Sequence, residues 1–413
     1  YGDYVASGMP AEVFREFIGE TSSNPLGREG ESADIPYVFN AFEAPNGVPV
    51  IGGVNCFGCH TSWIDGEFVV GLGDSFSDTT TSQASQYAVL GALIDSRYDS
   101  DSPEADAYRH LGLGAAAAAE PMVAPFQGVN TAFALEAAVV AHRDPETLLW
   151  EDAPRFDLAP TIASDVPPWW NVGKKHALYY NGMGRGDFAR LMMQICVVGV
   201  WDAEHAADID AHFPDVLAWL STLQPPPWPG DIDAGLADDG AGLFGERCAR
   251  CHGTYSDDPD VETYPNLLVS IEEVGTDPAL ADSYLDQPAF IEWLQASWFA
   301  NHDSSAVFVG DRGYIAPPLD GIWATAPYLH NGSVPDLYAL LDSDSRPERW
   351  RRDFGDSTYD LDRVGWPHEV VESASDTDVY DTTRRGYTSQ GHTYGDDLTD
   401  AERDALVEYL KGL

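Results

Sequence analysis

The sequence predicts a mainly α protein of two domains, with long loops and few short β-strands, and three observations carry that expectation. Apolar residues recur at helical spacing over 131–142, 188–200 and 209–223. The run Gln224-Pro225-Pro226-Pro227-Trp228-Pro229-Gly230 interrupts the chain near its middle, and proline cannot continue a helix. The pattern Cys-x-x-Cys-His stands once on each side of that run, as Cys56-Phe57-Gly58-Cys59-His60 and Cys248-Ala249-Arg250-Cys251-His252. A chain of 413 residues is long enough for two domains that each bury a core.

Residues 1–39, rich in Gly, Ser and Pro, read as an N-terminal arm. The first domain is expected over 40–224, where β-like runs at 48–54 and 66–72 flank the first Cys-x-x-Cys-His and helical patterns follow. Residues 225–230 are the linker, and 231–413 the second domain. There, 242–247 reads as an amphipathic helix running into the second motif. The chain closes on Thr399-Asp400-Ala401-Glu402, a capping-box pattern that opens a last helix. That helix is expected to pack across the motif helix and close its core.

Acidic residues outnumber basic ones 68 to 22, a net charge of −46. Nucleic acid is thereby excluded as a partner, since binding phosphate takes clustered Lys and Arg. Lysine occurs only at Lys174, Lys175 and Lys411. Because the acid is spread along the whole chain, a surface kept hydrated in high salt accounts for it better than steering of a basic electron-donor protein. No apolar run approaches the roughly 18 residues of a membrane span. The start at Tyr1, without a basic-then-apolar leader, fits the mature form of an exported protein, periplasmic or extracellular.

Four of the five cysteines fall in the two Cys-x-x-Cys-His motifs, which are haem-attachment signatures. Two thiols at this spacing reach the two vinyl groups of one haem, and the next residue, His60 or His252, enters the proximal face of the iron. A zinc knuckle would draw its four ligands from motifs close together, whereas these lie 192 residues apart. The domains are therefore read as two cytochrome c-like haem domains carrying two haem c groups, attached at Cys56 and Cys59 and at Cys248 and Cys251. Cys196, in the apolar run 192–200, reads as a buried core thiol.

The sixth ligand decides what such a haem does. All five methionines precede the linker, so after His252 only His302, His330, His368 and His392 can close the second haem. His392, in Gln390-Gly391-His392-Thr393-Tyr394-Gly395, is favoured because glycine on its flank lets the loop bring the imidazole to the iron. For the first haem Met122, Met183, His110, His142 and His176 are all available and none is compelled; His142 reads better as a helix-end residue. A first haem without a sixth side chain would be open to peroxide or dioxygen.

The stretch Pro317-Pro318-Leu319-Asp320-Gly321-Ile322-Trp323-Ala324-Thr325-Ala326-Pro327-Tyr328-Leu329-His330-Asn331-Gly332-Ser333-Val334-Pro335 resembles the bacterial di-haem cytochrome c peroxidase superfamily, most closely its rubber-oxygenase-like branch. The resemblance spans about 48–413. It implies that the first haem is the peroxide or oxygen site and that the second feeds it electrons. It implies His60 and His252 as proximal ligands, with His392 similar to the distal histidine of the second haem. A tryptophan between the haems is a family feature, and Trp170, rather than its neighbour Trp169, is its expected counterpart. The resemblance also implies a calcium ion between the haems, held by the carbonyls of Thr325 and Pro327 and by Asn130. Such oxygen ligands suit Ca²⁺, although Asn130 also reads as a cap for the helix at 131.

One departure matters. The peroxidases' Gln-Ala-x-Gly-Pro context, with its active-site glutamate, is missing, and the region reads Tyr179-Tyr180-Asn181-Gly182-Met183-Gly184-Arg185-Gly186-Asp187. Arg185 and Asp187 are the polar groups expected to act there. The expected function is an exported redox enzyme that reacts peroxide or dioxygen at the first haem. Its alternative is a pure electron-transfer cytochrome with both haems six-coordinate, and in either case a small redox protein or a small molecule is the partner.

Overall fold

The computed structural model of the chain describes residues 2–162, 164–256, 258, 261–301 and 305–413. About 37% of the chain is helical and 13% is strand, and the strands form several small sheets rather than one. The expectation of a mainly α chain built as two cytochrome c-like domains is therefore corrected. Helix content is ordinary for a mixed globular protein, and the settings of the two motifs differ.

The first motif is led in by a strand, not a helix. Pro49–Gly53 is the central strand of a three-stranded antiparallel sheet, between Met9–Pro10 and Phe39–Glu43. β-Branched Val50 and Ile51 sit buried on its two faces, and the short helix Ala11–Phe17 packs Val13 and Phe14 into the core that holds Ile51. The motif then makes a single 3-10 turn, Cys56–Gly58, and enters the hairpin Thr61–Ile64 with Glu67–Val70. Asp65 and Gly66, both at positive φ, supply the Asp-Gly turn.

The second motif does have the expected helical setting. Helix Ala234–Arg247 leads into it, and the terminal helix Asp400–Leu410 lies across that helix. The two backbones approach so closely that a Cβ on Gly240 would stand 1.9 Å from the Ala405 carbonyl oxygen. The Thr399/Glu402 capping box is formed.

The chain's two halves do not keep separate cores. The largest apolar cluster joins Val139, Leu191 and Val197 to Phe290, Trp293 and Phe299 from beyond the proline run. Strand Gly184–Gly186 pairs with Ala306–Phe308 across the same divide. Periodicity cannot report such sharing, because each short apolar segment looks complete alone.

At the centre the chain repeats itself with an offset of 150 residues. Pro167-Pro168 matches Pro317-Pro318, and Asn181-Gly182 matches Asn331-Gly332. Tyr179 and Leu329 take φ of 65° and 68°, as do Gly182 and Gly332. The copies also exchange hydrogen bonds reciprocally. Asp165 N–H donates to the His330 carbonyl at 2.8 Å, and Ile315 N–H donates to the Tyr180 carbonyl at 2.7 Å. That pattern, i to j and j to i, is the mark of a local two-fold relation.

Candidate haem sites and the path between them

Each repeat offers a proline carbonyl to one motif histidine. His252 Nδ1 donates to the Pro317 carbonyl at 2.8 Å. That bond fixes the tautomer and leaves Nε2 with its lone pair free for a metal. His60 faces the corresponding carbonyl, that of Pro167. Burial pushes His60 down to about 3 and lowers His252, so both imidazoles stay neutral, the form that ligates iron.

His392 stands opposite His252 with ring centroids 6.3 Å apart. Two imidazoles bound to one iron at about 2 Å each would place their centroids about 6 Å apart, so the pair fits a shared haem. Burial, with added repulsion from His252 and Arg346, pushes His392 down to about 3. Cys248 and Cys251 are free thiols, as are Cys56 and Cys59, so neither pair is spent on a disulfide.

The segment carrying His392 is fastened from two sides. Arg346 donates to the carbonyls of Ser389, Gly391 and His392 at 2.6, 2.6 and 3.1 Å, and to those of Ala339 and Leu340 at 3.0 and 2.9 Å. Upstream, Asp277 Oδ2 accepts from Gly386 N, Thr388 N and Thr388 Oγ1. Asn331 Nδ2 donates to the Gly386 and Thr388 carbonyls, so the asparagine of the Tyr-Leu-His-Asn-Gly run ties this loop down. Gly391 has φ 75°, and a Cβ there would meet Gly275 C at 2.2 Å. His392 N–H donates to the Val274 carbonyl at 2.8 Å.

Two of the other second-site histidines are engaged elsewhere. His330 stacks on Tyr314 at 4.0 Å, His368 Nδ1 meets the Trp366 carbonyl, and His302 lies outside the described residues. At the first site, His110 stacks on Trp201 and His142 on Trp150, Met183 and Met122 pack in the apolar core, and His176 is exposed. Cys196 is a buried core thiol, pushed up to about 12 by burial.

Between the motifs lie both tryptophans. Trp169 stacks on His60 at 4.7 Å and 19°. Trp170 Nε1 donates to the Asp320 carbonyl at 2.7 Å, and Asn171 Nδ2 to the Pro318 carbonyl at 3.0 Å. Bonded and stacked groups thus run from His60 through Trp169 and Trp170 to the segment 317–320 and His252. Lys174 braces the crossing by pairing with Asp320 and Glu262.

Arg185 pairs with Asp311 near the surface, and Asp187 caps the helix Phe188–Met193 by accepting from Arg190 N. Asn130 Oδ1 accepts from Ala132 N at 2.8 Å, and the Asn130 side chain reaches the Cys59 thiol. Thr325 Oγ1 donates to the Ile322 carbonyl, while Pro327 lines a small cavity with Gly128 and Arg352. Among the described residues no group of three or more His, Cys, Asp or Glu could hold a metal ion.

Residues 313–351 match the family model described as RoxA-like, cytochrome c-like. Two proteins of Sinorhizobium fredii (strain NBRC 101917 / NGR234) are similar to this chain. The uncharacterized protein y4iM is 29% identical over 294 residues, covering 60% of this chain and 64% of its own length. The uncharacterized protein y4iJ is 30% identical over 252 residues, covering 46% of this chain and 41% of its own. The chain thus spans less than two thirds of the length of either relative. No helix among the described residues is long and apolar enough to cross a membrane. The matched segment supplies the Pro317 carbonyl and the Asn331 tie, and the match supports a covalently bound haem c and, with it, a haem c oxidoreductase.

Proposed function

We propose that the chain is an exported oxidoreductase with two haem c groups, one on each Cys-x-x-Cys-His motif, and that it reacts peroxide or dioxygen at the first. The observation that carries this reading is the inequality of the two histidines. His252 has His392 opposite it at 6.3 Å, whereas His110, His142, Met122 and Met183 are engaged elsewhere and His176 is exposed. When bound, haem supplies iron that takes up one electron at a time and, where a coordination position is open, binds an oxygen ligand.

The chain's residues do the remaining work. Cys248, Cys251, His252 and His392 hold and close the electron-transfer site, and Arg346 and Asp277 keep His392 in place. Trp170, with Trp169, bridges the two proximal sides. Cys56, Cys59 and His60 hold the reacting site. An electron-donor protein outside the cytoplasm is the partner this arrangement calls for, and calcium at Thr325 and Pro327 belongs to the same reading, with Asn130 committed to its helix start.

Electron paramagnetic resonance of the oxidised, haem-loaded protein tests this. One high-spin and one low-spin ferric signal are expected, the high-spin one changing with cyanide. Two low-spin signals indifferent to cyanide and peroxide in both oxidation states would establish the electron-carrier function instead.

A further inference from the structure

One carboxylate in the interior has no assigned task. The helix Ala132–Val140 reads AFALEAAVV, and Glu136 is its single charged residue. Its Oε1 is buried with no hydrogen-bond partner. An unpaired carboxylate inside a protein costs several kcal/mol by rough estimate unless it takes up a proton or serves a function.

Two tethers bring Glu136 to the first motif. The start of its helix is pinned there, since Asn130 reaches the Cys59 thiol and caps Ala132 N. One helical turn, about 6 Å of rise, separates Ala132 from Glu136. On the other side Lys175 lies close enough to His60 for its charge to act on the imidazole. Four residues on is Tyr179, whose hydroxyl feels the charge of Glu136.

Tyr179 is also placed at a cost. It holds φ 65°, in the left-handed region that disfavours a bulky residue, and its ring lies against Gly184, where a Cβ would come within 2.7 Å. The residue is nonetheless 36% exposed. Strain of this kind persists where the surroundings over-determine it, and it clusters at functional sites.

We infer that Glu136, acting with the Tyr179 hydroxyl beside it, exchanges protons with the oxygen ligand of the first haem pocket. The inference rests on the first site being open, as proposed above. In the uptake step the O–H bond of a protic ligand breaks, an O–H bond forms on the Glu136 carboxylate, and no electron moves. In the return step the O–H bond on the carboxyl breaks and one re-forms on the ligand's oxygen as the ligand leaves, again with no electron moved. Burial alone pushes the carboxyl up to about 7, where both forms are populated near neutral pH. The other titratable groups that feel its charge are Tyr179 and Cys196, both raised and neutral at that pH, with Arg143, Asp3 and Asp210 acting on the same thiol.

Cyanide association with the ferric, haem-loaded protein reads this directly, because hydrogen cyanide must lose its proton as it binds. In the native protein the rate is expected to rise with pH through an inflection near 7. Glu136→Gln, of nearly the same shape, should slow association about 10²-fold or more and abolish that inflection. Tyr179→Phe should slow it less and leave the inflection in place. A protonated-carboxyl infrared band lost between pH 6 and 8 in the native protein, and absent from Glu136→Gln, is the second readout. Equal rates and pH profiles in the native protein and Glu136→Gln would overturn the role of Glu136 alone. Failure of the native protein to bind cyanide at any pH would overturn the open first site and this inference together.

Discussion

Replacing Arg346 by Met should open the second haem to an external ligand. The substitution keeps the apolar stem and removes five donors, three of which hold the carbonyls of Ser389, Gly391 and His392. Hydrogen bonds from a charged donor contribute about 1.5–3 kcal/mol each when single, but here they share one guanidinium and are not additive. Burial works against Arg346, lowering its pKa, so its removal also relieves a desolvation cost. The freed carbonyls are rehydrated when the loop swings out. The net loss in docking of the His392 segment should therefore be near the lower end, about 2–3 kcal/mol, or about 30- to 150-fold in the docked-to-undocked ratio. The assay is carbon monoxide binding to the reduced, haem-loaded protein, resolved into its two sites. The second site should be closed in the native protein and take up carbon monoxide in Arg346→Met, with a rate limited by loop release. A second site as closed in Arg346→Met as in the native protein would refute the fastening of His392 by Arg346.

Other outcomes follow from single contacts. His392→Gly should turn the second haem's low-spin signal high-spin and leave the first unchanged in electron paramagnetic resonance; loss of the first signal instead would refute the assignment of His392 to the second haem. Trp170→Phe removes the 2.7 Å bond to the Asp320 carbonyl, which should cost about 1–3 kcal/mol in denaturant unfolding and slow electron transfer between the haems after a reductive pulse. Asp165, hydrogen-bonded by Tyr180, is raised to about 7 by burial. The folded state then binds more protons than the unfolded one between pH about 4 and 7, so stability falls as pH rises through that window. Asp165→Asn should flatten that decline, leaving the variant more stable than the native protein at pH 8 and little changed at pH 4 in urea unfolding.

What was readable in advance is what is written locally. The Thr399/Glu402 box and the glycine beside His392 each need only a few neighbouring residues: the box forms as written, and Gly391 takes a positive φ where a Cβ would not fit. The strand before the first motif was half legible: 48–54 looks β-like, but its pairing with Met9–Pro10 joins it to a lead-in that composition describes only as Gly- and Pro-rich. Long-range matters left no pattern. Asp277, Arg346 and Asn331 converge on one loop from three distant places in the chain. The repeat shares few residue identities beyond Pro-Pro and Asn-Gly, and is evident only in matched φ angles and exchanged hydrogen bonds. Glu136 had a usable signal, a single carboxylate in an apolar helix, which helical periodicity alone passes over.

The repeat also gives a frame for the two unequal sites proposed above. At matched positions the first copy carries Lys175 and Tyr179 where the second carries Thr325 and Leu329. Tyr179 and Leu329 share their φ, so the difference there lies in side-chain chemistry: Lys175 acts on His60 and Tyr179 feels the charge of Glu136, whereas the second copy offers a hydroxyl and an apolar chain. On the proposed reading the second site obtains its missing group from outside the repeat, through the loop that Asn331 and Arg346 hold. Exchanging Tyr179 for Leu should therefore remove the hydroxyl beside Glu136 without moving the backbone, since Leu329 already occupies that φ in the second copy. Stability in urea should stay within about 1 kcal/mol, while the rate of cyanide association falls. A large loss of stability with an unchanged rate would mean that Tyr179 serves packing alone, and that the asymmetry of the two copies is structural rather than chemical.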